Sequence, residues 1–254
     1  MKILLTGSIG FIGSHLHQLI PEAIGCDIRE NSLHDIRLDD IQLGYPDITH
    51  VFHLAALKGV APSEGGYAKD YIETNCWGTA NVLRSFPNAR IIFVSSSAAE
   101  ECKSIYGMTK KFGELVAMRH PNCLAVRLYN VFGEGQSLEY APAVPAFINA
   151  RLKGHDPIIF GDGLQTRDFT YVGDVVHELK RLMFETDLKG LYHLGYGEPI
   201  SVLDLLKEIY GYLPNVHFVP ELNFNIRNSC SPTKMENIMY GRMEGLRRTI
   251  KSYG

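Results

Sequence analysis

Tyr106 and Lys110 stand four residues apart in Tyr106-Gly107-Met108-Thr109-Lys110. On a helix they share one face, so the lysine ammonium can sit beside the phenol. Tyrosine ionises near ~10, so a phenolate at neutral pH needs about 3 units, or roughly 4 kcal/mol, of differential stabilisation. A phenolate held in this way is a general base for a hydroxyl group. The segment Thr6-Gly7-Ser8-Ile9-Gly10-Phe11-Ile12-Gly13 places glycines three apart where an apolar run gives way to a helical pattern. Backbone without side chains lets a pyrophosphate approach, and the helix N-terminus offers amide donors and a positive dipole. Asp27 follows Gly7 by 20 residues, close to the ~20-residue offset at which an acid receives the adenosine ribose of a dinucleotide. Its carboxylate would repel a 2′-phosphate by roughly 4 kcal/mol at 4 Å and an effective dielectric of 20. The expected cofactor is therefore NAD rather than NADP.

Such residues need strands to end at and helices to start from. Apolar and β-branched runs at Lys2 to Thr6, Ala23 to Asp27, His50 to Ala55, Arg90 to Ser95 and Cys123 to Leu128 alternate with amphipathic stretches at Phe11 to Ile20, Lys69 to Phe86 and Tyr106 to Arg119. That alternation predicts an α/β fold with a doubly wound parallel sheet of the Rossmann type. After Val131 it loosens. The sequence there predicts a helix from Pro142 to Lys153, a turn at Gly161 to Gly163, a strand from Thr166 to Tyr171 and a helix from Val172 to Phe184. Ser201 followed by Asp204 marks a further helix start. The expected organisation is a nucleotide-binding domain over residues 1–131 and a smaller substrate-binding lobe over 132–254, with some strands and helices returning to the sheet.

With 45% hydrophobic and 21% charged residues in 254, the chain can bury a substantial core. A net charge of −3 gives no basic field for a nucleic acid polymer or an anionic membrane, so a phosphate-bearing ligand has to be met locally. The five cysteines are widely spaced without a Cys-x-x-Cys pair, which argues against disulfides and structural zinc. Histidines 53, 155 and 193 show no metal-ligand spacing, and no metal is expected. No apolar run approaches the ~20 residues of a membrane span, and the N-terminus turns to glycine too soon for a signal peptide. A cytoplasmic location is expected.

The run Thr6-Gly7-Ser8-Ile9-Gly10-Phe11-Ile12-Gly13-Ser14-His15-Leu16 resembles the opening of the extended short-chain dehydrogenases, the NAD-dependent epimerase and dehydratase family. Further similar segments follow in the family's order. Asp35-Ile36 resembles the acidic-aliphatic pair beside adenine, and His53-Leu54-Ala55-Ala56 the strand end along the cofactor. Asn75-Cys76-Trp77-Gly78-Thr79-Ala80-Asn81-Val82-Leu83 resembles a family helix, and Tyr106 with Lys110 the catalytic pair. The resemblance implies cofactor contacts at Gly7, Ile9, Gly10, Phe11, Ile12, Gly13, Asp27, Asp35, Ile36, Leu54, Ala55, Ala56, Lys58, Asn75, Ser95, Tyr106 and Lys110. The third catalytic member should be a hydroxyl from Ser95-Ser96-Ser97; the family's Ser-Ser-Ser-Ala pattern points to Ser97, with Ser96 able to exchange roles.

Arg127-Leu128-Tyr129-Asn130-Val131-Phe132-Gly133 and the stretch from Gly161 to Val172 are similar to the segments by which nucleotide-sugar members hold substrate. This implies substrate contacts at Ser97, Asn130 and Arg167, with Arg227 as a second diphosphate ligand. A structural pairing of Arg167 with Asp162 or Asp168 is the alternative. Family dehydratases carry Thr-Asp-Glu where Ser97-Ala98-Ala99 stands, and only eight residues separate Ser97 from Tyr106, where the family has a longer loop over the sugar. The implied function is epimerisation of a nucleoside diphosphate sugar, a UDP-sugar foremost, by a homodimer through a transient ketone. A reductase or dehydrogenase with net cofactor turnover is one alternative, and a non-catalytic NAD-binding sensor or scaffold is another.

Overall fold

The short aliphatic runs become strands β1 (Ile3–Thr6), β2 (Ile24–Cys26), β3 (His50–His53), β4 (Arg90–Ser96) and β5 (Cys123–Leu128). In this computed structural model, which describes residues 1–38, 41–138, 142–221 and 226–254, they form one sheet in the order β2-β1-β3-β4-β5, completed by a strand at Gly190–Leu194. The first five pair in parallel. A parallel sheet is covered on both faces, and all six residues of β5 are buried. The chain runs from β1 outward to β2 and then returns to β3 on the other side of β1. The order reverses there, and a doubly wound sheet binds its ligand at the carboxyl ends of such strands.

Two compact units make up the chain: residues 1–128 with 176–193, and residues 129–175 with 194–254. The core of the first includes Leu4, Val51, Ile91 and Phe93 from the sheet and Val82, Leu83 and Phe86 from a covering helix. That covering segment differs from the single helix expected over Lys69 to Phe86. It starts as an α-turn at Ala68–Tyr71, widens to a π-helix at Ile72–Gly78, and resumes as α-helix at Thr79–Ser85. A longer helix, Ile105–Ala117, begins one residue before the expected start because Ser104 caps it, accepting from the Gly107 amide at 3.1 Å.

In the second unit, helices Ala143–Lys153 and Val202–Tyr210 appear as expected, the latter capped by Ser201. The strand expected over Thr166 to Tyr171 is shorter. It pairs only at Thr166–Arg167, with an isolated bridge between Phe132 and Tyr171. The remaining chain from Asp168 is diverted because that carboxylate, fully buried, accepts main-chain amides of Tyr196, Gly197 and Ser231 at 3.1, 2.8 and 3.2 Å. Among the described residues no helix is long and apolar enough to cross a membrane.

An ion pair lies under the helix Ile105–Ala117. Glu114, wholly buried, receives Arg127 in a fork, Nε to Oε1 at 2.6 Å and Nη2 to Oε2 at 2.8 Å. Removing one partner leaves a buried charge without compensation. Glu114→Ala is expected to destabilise the chain by roughly 3–5 kcal/mol in urea unfolding. A loss below about 1 kcal/mol, the worth of a surface pair, would contradict this reading of the network.

Candidate active site

The turn after β1 is closed by its own backbone. Gly7 has φ of 74°, and its amide donates to the Cys26 carbonyl at 2.8 Å. A Cβ on Gly7 would stand 2.8 Å from the Ala55 amide nitrogen, and one on Gly13 only 2.0 Å from the Gly7 carbonyl oxygen. Both positions therefore exclude every other residue. Helix α1 (Phe11–Leu19) starts directly from this turn, with Gly10 extended at its N-cap and no side chain capping it. The Gly10 amide donates to the Gly7 carbonyl at 3.0 Å, and the amides of Phe11 and Ile12, at the helix start without a side-chain cap, are those that fit a pyrophosphate.

Asp27, one residue beyond β2, is only 6% exposed. Burial alone would raise its pKa, but the side-chain and backbone bonds from Arg29 outweigh it and hold the carboxyl below its ordinary range. Asp35 is likewise forked by Arg37, and Ile36 beside it is buried in the core against Gly78, with its carbonyl accepting from Asn81. The Ile36 side chain is therefore part of the core. Beyond β3, the Leu54 and Ala55 amides are tied to the Thr6 carbonyl and hydroxyl at 3.1 and 3.3 Å, and Ala56 is half-buried after them. The following Leu57–Gly59 segment is held by two side chains of the α/π segment. Tyr71 Oη donates to the carbonyls of Lys58 and Gly59, and Asn75 bonds both the amide and the carbonyl of Leu57. Asn75 gives its other amide proton to Thr109 Oγ1 at 3.1 Å. Asn75, expected as a cofactor contact, positions this segment with both its donors taken by protein atoms. Lys58 points its side chain to solvent.

The structure brings Tyr106 and Lys110 together with the end of β4. Lys110 Nζ donates to the Val94 carbonyl at 2.7 Å while lying 5.1 Å over the Phe93 ring, and the Ser96 hydroxyl accepts from the Ala98 amide at 3.3 Å. Of the two candidate serines, Ser96 is the one whose side chain acts to lower the Tyr106 pKa. Ser97 has already left the strand: its backbone is helical, and it stands at the N-cap of a single turn, Ala98–Glu101, which replaces the longer loop. Ser95 is buried, and its hydroxyl donates to Glu114 at 2.8 Å. Consecutive strand residues point to opposite faces, and that parity was the sequence signal for placing Ser96 opposite Ser95.

Burial raises the Tyr106 pKa, opposed by the Ser96 side chain, and burial pushes Lys110 down to about 8 against the pull of Glu114. The expected lowering of the phenol by the lysine is not what this structure shows. Lys110 bonds a carbonyl, and desolvation dominates at the tyrosine.

In the second unit, Asn130 and Arg167 line one cavity of about 630 Å³, with Phe132, Phe147, Ile159 and Gln165 among its walls. Asn130 has a positive φ of 36°, and its buried Nδ2 has no hydrogen-bond partner among the described residues. Arg167 Nη1 donates to the Thr166 and Arg227 carbonyls at 2.8 and 3.3 Å, while Asp168 holds the three amides above and Asp162 is forked by Arg227 at 2.8 and 2.9 Å. Arg227 was expected to hold a diphosphate, but its guanidinium is neutralised by Asp162 and it does not line the cavity.

Residues 3–195 match the model of the NAD dependent epimerase/dehydratase family. The chain belongs to this family. It is 30% identical over 262 residues to a putative UDP-glucose 4-epimerase of Methanocaldococcus jannaschii, covering 83% of each chain. It is 28% identical over 266 residues to a UDP-N-acetyl-alpha-D-glucosaminuronate decarboxylase of Bacillus cytotoxicus, covering 82% of this chain and 79% of that one. Among solved structures, the Thermus thermophilus UDP-glucose 4-epimerase complex with NAD superposes with a TM-score of 0.84 at 25% identity, over 100% of this chain and 99% of that one. NAD is the family's cofactor, and the glycine cradle and Asp27 fit it.

A lysine with a folded pKa of about 8 against the usual 10.5 leaves the unfolded chain binding more protons between those values, so stability rises with pH across that window. Wild type is therefore expected to gain on Lys110→Met by roughly 3 kcal/mol between pH 8 and 10.5, measured by urea unfolding of both proteins at each pH. A difference that stays constant with pH would mean that the ammonium is as well solvated in the folded chain as in the unfolded one.

Proposed function

We propose that the chain is an NAD-dependent epimerase of a nucleoside diphosphate sugar, with a UDP-sugar as first choice. The observation that carries this reading is the geometry at the end of β4, where Lys110 and Glu114 dock the Tyr106 helix on the strand while two buried alanines, Ala98 and Ala99, stand where family dehydratases place their acid and base. A tyrosine and a serine hydroxyl can move a proton to and from a sugar oxygen. Without the acidic pair, elimination of water has no proton donor and acceptor at that position, which favours a reaction that ends with the carbon skeleton and its oxygens unchanged.

In this mechanism Tyr106 Oη, ionised with its own proton released to solvent, takes the proton of the sugar hydroxyl being oxidised, and a serine at the end of β4, Ser96 or Ser97, holds that oxygen in line. Lys110, charged at neutral pH, ties the helix to the Val94 carbonyl one turn from the phenol. The glycine turn and Asp27 would hold NAD, which would supply the hydride acceptor and donor. Tyr106 Oη then gives its proton back to the same oxygen. In the second unit, Arg167 and the Asn130 amide are proposed to receive the substrate's diphosphate, since a forked guanidinium suits two phosphate oxygens and Asn130 offers a buried donor with no partner among the described residues. A second copy of the chain is the proposed partner. Met108, Phe112 and Leu115 are spaced by four and three on the helix Ile105–Ala117 and are 56%, 43% and 52% exposed, an apolar stripe that the same stripe of another copy would cover.

Purified protein should convert at least one member of a panel of UDP-, dTDP- and GDP-sugars to its epimer, followed by chromatography, with no net build-up of reduced nicotinamide. Stoichiometric cofactor consumption would favour the reductase reading, and loss of carbon dioxide or water from the product would favour a decarboxylase or dehydratase.

A further inference from the structure

We propose that Arg29 occupies the acceptor positions of Asp27 that would receive the cofactor's adenosine ribose, so that it sets the affinity for NAD and the margin of NAD over NADP. The inference rests on the glycine turn being the cofactor cradle. A carboxylate offers about four lone-pair positions. At Asp27, Oδ1 accepts from the Arg29 amide at 3.1 Å and from its Nε at 3.0 Å, and Oδ2 accepts from its Nη2 at 3.0 Å. Three of the four positions are taken, and with 6% of its surface exposed Asp27 cannot accept both ribose hydroxyls while Arg29 stays in place.

The guanidinium lies over the turn itself, with Nη2 standing 3.9 Å from where a Cβ on Gly10 would be. Its side chain is 59% exposed, so it can swing into solvent at small cost. The ribose therefore competes with an intramolecular ion pair instead of meeting an empty carboxylate. Once displaced, the same guanidinium stands beside the ribose 2′ position, where a fork of donors suits a phosphate. Asp27 and Glu30, the latter 3.5 Å from Ser8 Oγ, supply the opposing negative charge. Arg29 thus weakens NAD and at the same time softens the rejection of NADP.

Titration calorimetry of NAD and NADP with wild type, Arg29→Ala and Arg29→Lys separates these roles, with thermal melting to check the fold. Arg29→Ala should bind NAD about two- to fivefold more tightly, the factor of an exposed ion pair of up to about 1 kcal/mol, and should bind NADP more weakly than wild type. Arg29→Lys, which keeps the charge and loses the fork, should fall between the two for NAD. Unchanged or weaker NAD binding in both variants at wild-type melting temperature would overturn the proposal while leaving the cradle intact. A wild type that binds no NAD at all would overturn the cradle, and the proposal with it.

Discussion

Two consecutive residues of β4 bind two residues of one helix. The Val94 carbonyl takes Lys110 and the Ser95 hydroxyl gives to Glu114. Lys110 and Glu114 are spaced four apart and so share a helix face with Tyr106, one turn earlier. This docking fixes the height and rotation of Ile105–Ala117 against the sheet end, which is what gives Tyr106 a defined oxygen position. Glu114 makes the arrangement durable because its fork with Arg127 ties the helix to β5 as well. Two glycines let the helix come close enough: a Cβ at Gly107 would stand 2.4 Å from the Ala98 carbonyl oxygen, and one at Gly113 2.4 Å from the Phe93 ring.

The cofactor side depends on the same kind of contact. The turn after β1 and the chain after β3 meet at Gly7 and Ala55, the point where strand order reverses. Tyr71 and Asn75 then fasten the outgoing segment, and Asn75 passes the tie on to Thr109 in the Tyr106 helix. Cofactor cradle and proton-transfer group are thereby joined through buried hydrogen bonds within the first unit. The buried His53, between Thr6 Oγ1 and Thr79 Oγ1 at 2.8 and 3.1 Å, belongs to this frame and is kept neutral by desolvation.

What was legible in the sequence is what is written in local spacing. Glycines three apart, an acid at a strand end and a tyrosine four before a lysine each carry a geometric requirement that needs no knowledge of neighbours. Five of the six sheet strands were legible for the same reason. Gly190–Leu194 escaped because its five residues lie between a polar turn and a glycine-rich stretch, and only pairing makes them a strand. The π-turn at Ile72–Gly78 escaped because apolar periodicity is nearly the same for α and π over seven residues. The helix Gly241–Tyr253 is polar on most of its surface, burying only Gly245, Leu246 and Thr249, so it carries little amphipathic signal. Ser97 is chosen from the family's Ser-Ser-Ser-Ala pattern, in which Ser96 is the neighbour able to take its role. With that loop reduced to Ala98–Glu101, the strand gives way to helix at Ser97 itself. Partner choice among exposed charges was the other thing out of reach: Asp162 lies beside Arg167 in the chain, yet pairs with Arg227, 65 residues away.

The central claim, that proton transfer passes through the Tyr106 oxygen held at the end of β4, is tested most directly by deleting that oxygen alone. In Tyr106→Phe, turnover on whichever sugar nucleotide the wild type converts is expected to fall by about 10²- to 10⁴-fold, with melting temperature and NAD affinity unchanged. Turnover within a few-fold of wild type in a folded, NAD-binding variant would contradict the account and leave Tyr106 as a packing residue of its helix.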